Sequence, residues 1–331
     1  MPLQAGTTYA EAMAQRTPVA LVALDWGTSS CRAYALDADG QPLGQRNRPL
    51  GILTVGADPA AYPQALAEIA GDWLDDSPAV LACGMVGSAR GWQDAGYREA
   101  PVALADLAGP SVLSVPGPVG PVHLVPGVRT VTGVMRGEET QLLGAALTGL
   151  DDDPVVLPGT HSKWAQLTGG TLTDFHTAMT GELYAMLLDR GTVSQVAAPP
   201  GEQDRAAFDG GARRGLERSA HGLLSLVFEA RSRVLVGSLQ PEQVRDFLSG
   251  LLIAAEITGA LAWLGQRPQQ VTLVGGEDLC ERYRRVLGLA GISAHRPEED
   301  LALTGLVHLA RELRLLPGAP GSEQGSRRRS R

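Results

Sequence analysis

Short apolar runs that end abruptly in glycine and hydroxyl residues stand out along the chain. The first, residues 19–24, predicts a buried strand and is followed by Asp25, Gly27 and hydroxyl side chains at positions 28–30. The second, residues 154–157, is followed by Gly159 and a similar set of small polar residues. Each copy predicts a strand, a tight turn and a returning strand. When the copies are aligned without gaps, Gly27 falls on Gly159, Thr28 on Thr160, Ser30 on Ser162 and Ala33 on Ala165.

Helical periodicity fills the intervals between the predicted strands. Residues 59–74, 223–235, 241–264 and 301–315 predict helices, and Gly305 in the last of them allows close packing. Residues 79–83 and 271–274 predict short buried strands, whereas residues 194–215 form a glycine- and charge-rich stretch without an apolar face. Strands that alternate with helices predict an α/β fold.

Length and composition are typical of a globular protein with two domains. The chain has 331 residues, of which 44% are hydrophobic and 19% charged, and one core rarely holds so many. We expect a loose leader over 1–18, a first domain over 19–150, a second over 151–300, a closing helix over 301–316 that packs back on the first, and a disordered tail over 317–331. No uninterrupted apolar segment has the length of a membrane span, and the leader lacks the apolar region of a secretory signal.

Charge and cysteine usage narrow the range of partners. A net charge of −8 without a basic stripe argues against nucleic acid. We therefore expect a small anionic ligand, held by a few local cations, and no membrane. Three cysteines without metal-ligand spacing, Cys31, Cys83 and Cys280, fit a reducing cytoplasm. The sequence leaves the oligomeric state open, a homodimer included.

The two turns have the composition of phosphate-binding loops. Gly27 and Gly159 allow tight turns whose amides point outward, and the neighbouring hydroxyls add donors; a plain β-hairpin turn is the alternative. Asp25 is placed to order a hydrated Mg²⁺ that bridges phosphate oxygens, while Leu157 takes its place in the second copy. The predicted phosphate contacts are Gly27, Thr28, Ser29, Arg32, Gly159, Thr160, His161 and Ser162.

Lys163 is the only lysine among the 28 cationic residues of the chain. It lies in the second predicted turn, where a compact ammonium suits a phosphate better than a planar guanidinium does. The alternative is a chance surface lysine. We expect Lys163 to neutralise charge that develops on a transferred phosphoryl group.

Paired carboxylates open a predicted helix in residues 134–145 (VMRGEETQLLGA). Glu138 is the candidate general base that accepts a hydroxyl proton. The alternative for Glu139 is a first-turn acid that only complements the helix dipole. Arg136 is suited to hold a carboxylate or a phosphoryl oxygen.

Other segments predict the contacts to substrate and adenosine. The strand at 79–83 opens into a glycine-rich loop with the candidates Met85, Ser88, Arg90 and Trp92, for which a plain connecting loop is the alternative. Trp164 and Glu182 are further candidates for the substrate, although Glu182 also suits a capping or first-turn role. Gly275 and Gly276 follow a predicted strand, and bare backbone there would let the planar adenosine base lie close.

The order of these motifs resembles that of the superfamily of actin, chaperone ATPases and sugar kinases. Residues 25–32 and 157–164 resemble its two phosphate motifs, 136–146 and 301–310 its connecting helices, and 273–278 its adenosine motif. More narrowly, CGMVGS at 83–88, the 134–144 segment, LPGTHSKW at 157–164, MTGEL at 179–183 and FLSGLLI at 247–253 resemble the 2-dehydro-3-deoxygalactonokinase family. Gly96 stands where that family usually has proline, and the leader and tail have no counterpart there.

The resemblance implies two duplicated actin-like (ribonuclease H-like) ATPase domains with a nucleotide cleft between them. It implies transfer of phosphate from ATP, with Mg²⁺, to the 6-hydroxyl of 2-dehydro-3-deoxy-D-galactonate in galactonate degradation, with Glu138 where related sugar kinases carry the base aspartate. A kinase for another sugar or sugar acid is one alternative. An actin-like ATPase or regulator that needs no acceptor is another. A dinucleotide-binding enzyme is disfavoured because no Gly-x-Gly-x-x-Gly follows the first strand.

Overall fold

The computed structural model describes residues 17–219 and 222–317, and its architecture is α/β. The strands are β1 Leu21–Trp26, β2 Cys31–Leu36, β3 Pro42–Arg48, β4 Ala79–Cys83, β5 Tyr97–Glu99, β6 Val102–Ala103, β7 Leu113–Pro116, β8 Pro121–Leu124, β9 Gly127–Arg129, β10 Val134–Met135, β11 Val155–Leu157, β12 Ser162–Thr168, β13 Thr171–Ala178, β14 Gln270–Leu273 and β15 Ser293–His295. The α-helices are α1 Ile52–Val55, α2 Tyr62–Ala70, α3 Glu138–Leu147, α4 Thr180–Asp189, α5 Arg205–Arg218, α6 Leu223–Leu235, α7 Val244–Leu264, α8 Glu277–Leu289 and α9 Leu301–Glu312. The predicted leader falls almost entirely, and the predicted tail all but its first residue, outside the described residues.

Two six-stranded sheets share one topology over five of their strands, while the sixth strand, β7 or β6, lies at opposite ends of the shared order. The first runs β3-β2-β1-β4-β8-β7 and the second β15-β14-β11-β12-β13-β6. In each, three successive strands form an antiparallel meander, and the first of them also pairs in parallel with a later strand. A further parallel strand then follows, β8 beside β4 and β15 beside β14. The predicted duplication of actin-like units is therefore confirmed.

The strands that carry the glycine turns lie in the interior of their sheets. In β1 every residue except the half-buried Asp25 is buried, because helices and loops cover both faces of this central strand. Helix α2 covers one face with Tyr62, Leu66 and Ile69, as its periodicity predicts. The turns after β1 and β11 are thereby fixed to rigid elements.

Helices α3 and α9 cross at two glycines. A Cβ on Gly144 would overlap the carbonyl oxygen of Leu301, and a Cβ on Gly305 would overlap that of Thr140. Both helices contribute to a core that also contains residues of both sheets, among them Leu21 and Val155. The prediction that Gly305 allows close packing is confirmed.

The stretch 194–215 contains most of a helix that the apolar pattern does not predict. Helix α5 packs against α7 through backbone, because a Cβ on Gly211 would overlap Phe247 O and a Cβ on Gly250 would overlap Phe208 O. Glycine adds little to an apolar face in the sequence, yet it makes this close helix pair.

One helical segment of the described residues, 241–264, is long and apolar enough to cross a membrane by length and composition. It contains α7, and 67% of its most apolar window is buried inside the protein. Glu256 in its second half accepts hydrogen bonds from three side chains. The segment is therefore packed as a core helix.

Candidate active site

Both glycine turns line one cavity between the two sheets. This central cavity has a volume of about 470 Å³, and Gly27, Thr28, Gly159, Thr160 and His161 contribute to its wall. The turns thus face each other across a shared space. Their role in holding phosphate stays a prediction.

The first turn is held from behind by α1. The amide of Gly27 donates to Ser30 O (2.9 Å), and the amides of Ile52 and Leu53 donate to Gly27 O and Thr28 O (3.1 Å each). A Cβ on Gly51 would overlap Thr28 O, so the two segments are in close backbone contact. Thr28 and Ser29 remain exposed, with their side chains free of these contacts.

Asp25 lies at the end of β1, close enough to the carboxylates of Asp300 and Glu138 to feel their charge. Burial raises the pKa of Asp25 to about 6; Arg32 opposes the rise, and the carboxylates of Asp300 and Glu138 add to it. A cation beside Asp25 would reduce the repulsion among these carboxylates. Within the described residues no group of three or more His, Cys, Asp or Glu side chains is placed to hold a metal by itself. The single carboxylate of Asp25 is compatible with an ion such as Mg²⁺, which commonly takes one protein carboxylate together with phosphate oxygens and water, and its binding here stays a prediction.

Glu138 and Lys163 meet across the central cavity. Lys163 Nζ lies 3.3 Å from Glu138 Oε1, with side chains 4% and 26% exposed. The same ammonium donates to His161 O (2.8 Å), and Glu138 Oε2 accepts from the amide of Arg136 (2.9 Å). Because Lys163 is buried at the cavity, the alternative of a chance surface lysine is wrong.

Glu139 is turned away from the cavity and is fully buried. The amide of Gly137 donates to both of its carboxyl oxygens (2.8 and 2.7 Å), as suits an acid in the first turn of a helix. Burial is the main reason that the pKa of Glu139 rises to about 8, and the charge of Glu138 adds to the rise. Of the paired carboxylates, Glu138 is the one that reaches the cavity.

Two residues of the second turn face the core instead. Ser162 is fully buried and its hydroxyl lies 2.8 Å from the Tyr283 hydroxyl. The indole of Trp164, also fully buried, donates to Glu256 Oε1 (2.9 Å). Successive side chains of a strand point to opposite faces, so Ser162 and Trp164 share the face opposite Lys163. Trp164 as a substrate contact is therefore wrong, and the Ser162 hydroxyl does not face the cavity; a phosphate contact through the Ser162 backbone stays a prediction.

The predicted substrate residues divide into two groups. Met85 and Arg136 line the central cavity. Trp92 is buried and stacks on Tyr62 with ring centroids 5.6 Å apart, so as a substrate contact it is wrong. Ser88 is buried and Arg90 exposed, and neither is among the residues that line this cavity.

Glu182 braces the second turn. Its carboxylate lies 2.5 Å from His161 Nε2, and its amide donates to Thr160 O (3.1 Å). Glu182 lies in the first helical turn of α4. The preceding residue, Gly181, packs against the second glycine turn, because a Cβ at Gly181 would lie 2.6 Å from Gly159 O. Glu182 therefore has the position of a first-turn acid, which was the alternative to a substrate contact, and its side chain pairs with His161 in the loop.

Two further cavities adjoin the turns. A rear cavity of about 510 Å³ lies behind the second turn, between α4, α7 and α8. Its wall includes Tyr184 and Arg282, which no sequence motif marks because they come from distant helices. An acidic cavity of about 300 Å³ shares Asp25 with the central one. Its wall contains the predicted residues Arg32, Gly275 and Gly276 together with Arg296, Glu298, Glu299 and Asp300.

Arg32 is engaged at the acidic cavity. Its Nη1 lies 3.7 Å from Asp300 Oδ2, and the hydroxyl of Tyr34 donates to the same oxygen (2.5 Å). Asp300 also caps α9 by accepting from the amide of Leu303 (3.2 Å). The first hairpin is thus tied to the start of the closing helix.

Comparisons with known proteins agree with this architecture. Residues 25–309 match the profile of the 2-keto-3-deoxy-galactonokinase family. The chain is 36% identical over 286 residues to the 2-dehydro-3-deoxygalactonokinase of Escherichia coli (strain K12), covering 85% of this chain and 94% of that protein. It is 36% identical over 302 residues to a probable 2-dehydro-3-deoxygalactonokinase of Rhizobium meliloti (strain 1021), covering 88% and 96%.

A crystal structure of a relative has the same fold. The putative 2-dehydro-3-deoxygalactonokinase of Sinorhizobium meliloti superposes with a TM-score of 0.77 at 35% identity, over 88% of this chain and 98% of that one. The family match over residues 25–309 includes both glycine turns. The chain therefore belongs to the 2-keto-3-deoxy-galactonokinase family.

Proposed function

We propose that the protein is a kinase that transfers the γ-phosphoryl group of ATP to the 6-hydroxyl of 2-dehydro-3-deoxy-D-galactonate, a step of galactonate degradation. Family membership supports the reaction. The observation that carries the proposal is the approach of Glu138 and Lys163 to 3.3 Å between the two glycine turns. A base and a cation stand together there, as phosphoryl transfer to an alcohol requires.

The nucleotide spans the central and rear cavities in this proposal. Its phosphates bind amides of the residues that follow Gly27 and Gly159 in the two turns, with the hydroxyls of Thr28, Ser29 and Thr160 as further donors. The base enters the rear cavity, where Leu252 and Leu279 supply apolar surface beside the polar Tyr184 and Arg282. Gly275 lines the central cavity and Gly276 caps the helix that carries Leu279, so in this proposal the adenosine passes these two glycines on its way to the rear cavity.

Asp25 is the residue that would hold the metal ion. Bound Mg²⁺ would neutralise the charge on the phosphates and favour their in-line geometry. The Asp25 carboxylate would hold the hydrated ion near Glu138, whose charge acts on Asp25, and thus close to the reacting groups. Burial raises the pKa of Asp25, and the carboxylates of Asp300 and Glu138 add to the rise; a cation beside Asp25 would offset both effects, which is the physical reason to place the ion there.

Glu138 accepts the proton of the attacking hydroxyl. The bond from the substrate oxygen to the γ-phosphorus forms as the bond from that phosphorus to the bridging oxygen breaks, and ADP leaves. Lys163 donates to the oxygens of the transferred group, where negative charge increases. A closing motion about α3 and α9 would expel water, which otherwise competes as the acceptor.

An acceptor panel tests the proposal against its alternatives. ADP formation is measured with Mg-ATP and 2-dehydro-3-deoxy-D-galactonate, its epimers, related sugar acids and neutral sugars, and without an acceptor. We expect turnover with the galactonate derivative to exceed the rest. A preference for another sugar or sugar acid would reassign the substrate, and turnover without any acceptor would favour an ATPase or regulator. In this proposal the protein is cytoplasmic and binds neither nucleic acid nor a membrane.

A further inference from the structure

An arginine with unused hydrogen-bonding capacity lies in the wall of the central cavity. The side chain of Arg136 is 3% exposed. Its Nη2 donates to Gly96 O (3.0 Å) and lies 3.4 Å from Asp94 Oδ1. Its Nε and Nη1 have no hydrogen-bond partner among residues 17–219 and 222–317. Buried donors of a charged group are costly to leave unpaired, so these two nitrogens call for a further acceptor.

The positive charge of Arg136 is only partly compensated. The Asp94 side chain is 51% exposed, and water screens its charge. Glu139 acts on Arg136, but burial raises its pKa to about 8, so this carboxyl largely keeps its proton at neutral pH. The carboxylate of Glu138 is shared with Lys163. An anion that entered the cavity would therefore supply the missing charge.

The guanidinium plane is fixed before any ligand arrives. The ring of Tyr97 lies against it, with the guanidinium carbon 4.3 Å from the ring centroid. Gly87 backs Nη1 so closely that a Cβ there would lie 3.2 Å away. A guanidinium held in this way presents its remaining N–H groups in fixed directions to the oxygens of an anion, and little side-chain entropy remains to be lost on binding.

Arg136 and Glu138 are two residues apart, and both line the central cavity. A sugar acid has its carboxylate at one end and its terminal hydroxyl at the other. We propose that Arg136 binds the carboxylate of the sugar acid and thereby selects acids over neutral sugars, an inference that rests on the proposed function. Met85 and Tyr97 form adjacent parts of the same wall.

The test compares an acid with its neutral counterpart. The acceptors are 2-dehydro-3-deoxy-D-galactonate and the analogue whose carboxylate is a carboxamide, and kcat/KM is measured for Arg136→Gln and for the unaltered protein. We expect Arg136→Gln to lose on the order of a hundredfold with the acid and little with the amide, because a buried charge pair is lost only with the acid. Retention of the preference for the acid in Arg136→Gln would overturn the inference.

The control is Arg129→Gln. Arg129 ends β9 in the three-stranded sheet β10-β9-β5, whose strand β10 stops one residue before Arg136. It is 54% exposed and pairs with Glu99 at 3.6 Å, so its replacement is expected to change kcat/KM for neither acceptor. Arg136→Lys is the second variant, because it keeps the charge and preserves the fold if the glutamine variant does not. Arg136→Lys loses the planar guanidinium, and we expect kcat/KM to fall about tenfold with the acid alone. An unchanged kcat/KM for the acid would also overturn the inference.

Failure of the proposed function gives a different result. If the unaltered protein phosphorylates neither acceptor, the proposed function is wrong and this inference falls with it. If it phosphorylates the acid and the preference survives replacement of Arg136, only the inference is wrong.

Discussion

The ammonium of Lys163 lies 3.3 Å from the carboxylate of Glu138, although one belongs to a strand of the second sheet and the other opens a helix that packs under the first. The pair bridges the cavity at the level of the two glycine turns. It brings a proton acceptor and a phosphate-binding cation to one point. The following predictions test what each of these residues does.

Glu138→Gln is expected to lower kcat about a hundred- to ten-thousandfold, because the amide cannot accept the hydroxyl proton. ATP affinity, measured by calorimetry, is expected to stay within a few-fold, since the loops are unchanged. Glu68→Gln, which replaces an exposed acid on α2, serves as the control. Near-normal turnover in Glu138→Gln would mean that another group accepts the proton.

Lys163→Met keeps the length and the apolar stem of the side chain but removes its charge. We expect kcat to fall by roughly a hundred- to a thousandfold, the cost of losing one donor to developing charge, while KM for the sugar acid changes little. Steady-state kinetics with both substrates varied would separate these effects. A larger change in KM for the sugar acid than in kcat would place Lys163 in substrate binding.

Glu138 and Lys163 are expected to be coupled. Because each loses its nearest charged partner when the other is replaced, the double variant Glu138→Gln/Lys163→Met should lose less than the product of the two single losses. The four kcat/KM values form the required cycle. Simple multiplication of the losses would show that the observed ion pair has no role in turnover.

Asp25→Asn is expected to stabilise the fold at neutral pH and to abolish Mg-ATP turnover. An acid whose pKa is raised in the fold, here to about 6 from 3.8, destabilises the fold once it ionises. The gain should be about 1–3 kcal/mol at neutral pH, shrink as the pH falls from about 6 to about 4, and vanish below that range. Urea unfolding without nucleotide or metal measures it. Asp39→Asn, at an exposed turn, is the control, and a gain that does not depend on pH would contradict the explanation.

Gly305→Ala should destabilise the protein by about 1–3 kcal/mol, because the added methyl group overlaps Thr140 O. The matched control is Gly259→Ala in the middle of α7. A Cβ at Gly259 would meet no atom of the described chain within 4 Å, so this change should stabilise the helix by about 0.5–1 kcal/mol. Chemical denaturation measures the change in the free energy of unfolding, which should be negative for Gly305→Ala and positive for Gly259→Ala. Equal changes in the two variants would show that close packing at the α3–α9 crossing does not depend on Gly305.

The sequence predicted the parts of the fold that local patterns encode. The aligned turns at Gly27 and Gly159 marked the duplication, and the lone lysine marked Lys163. The positions of Trp164 and Ser162 follow from the alternation of side chains along a strand. Because Lys163 is expected to face the transferred phosphoryl group, its two neighbours point to the opposite face, which composition alone does not indicate.

Other features could not be predicted because they depend on tertiary packing. The α5–α7 pair is formed by glycines, which leave little trace in an apolar pattern. The rear cavity joins Tyr184 and Arg282 from helices nearly a hundred residues apart in the sequence. The tie between Arg32 and Asp300 joins still more distant segments.

Strand β6 belongs to the first half of the chain but ends the second sheet, where Val102 pairs with Leu172 and the Leu104 amide donates to Gly170 O (3.0 Å). A cut at the predicted boundary between residues 150 and 151 would therefore strip this strand from the second fragment. The bare edge of β13 would then be open to pairing with other molecules. If the two halves were produced separately, the second would need β6 from the first to complete its sheet. A cut at this boundary would therefore suit a split-protein reporter whose signal depends on association of the two halves.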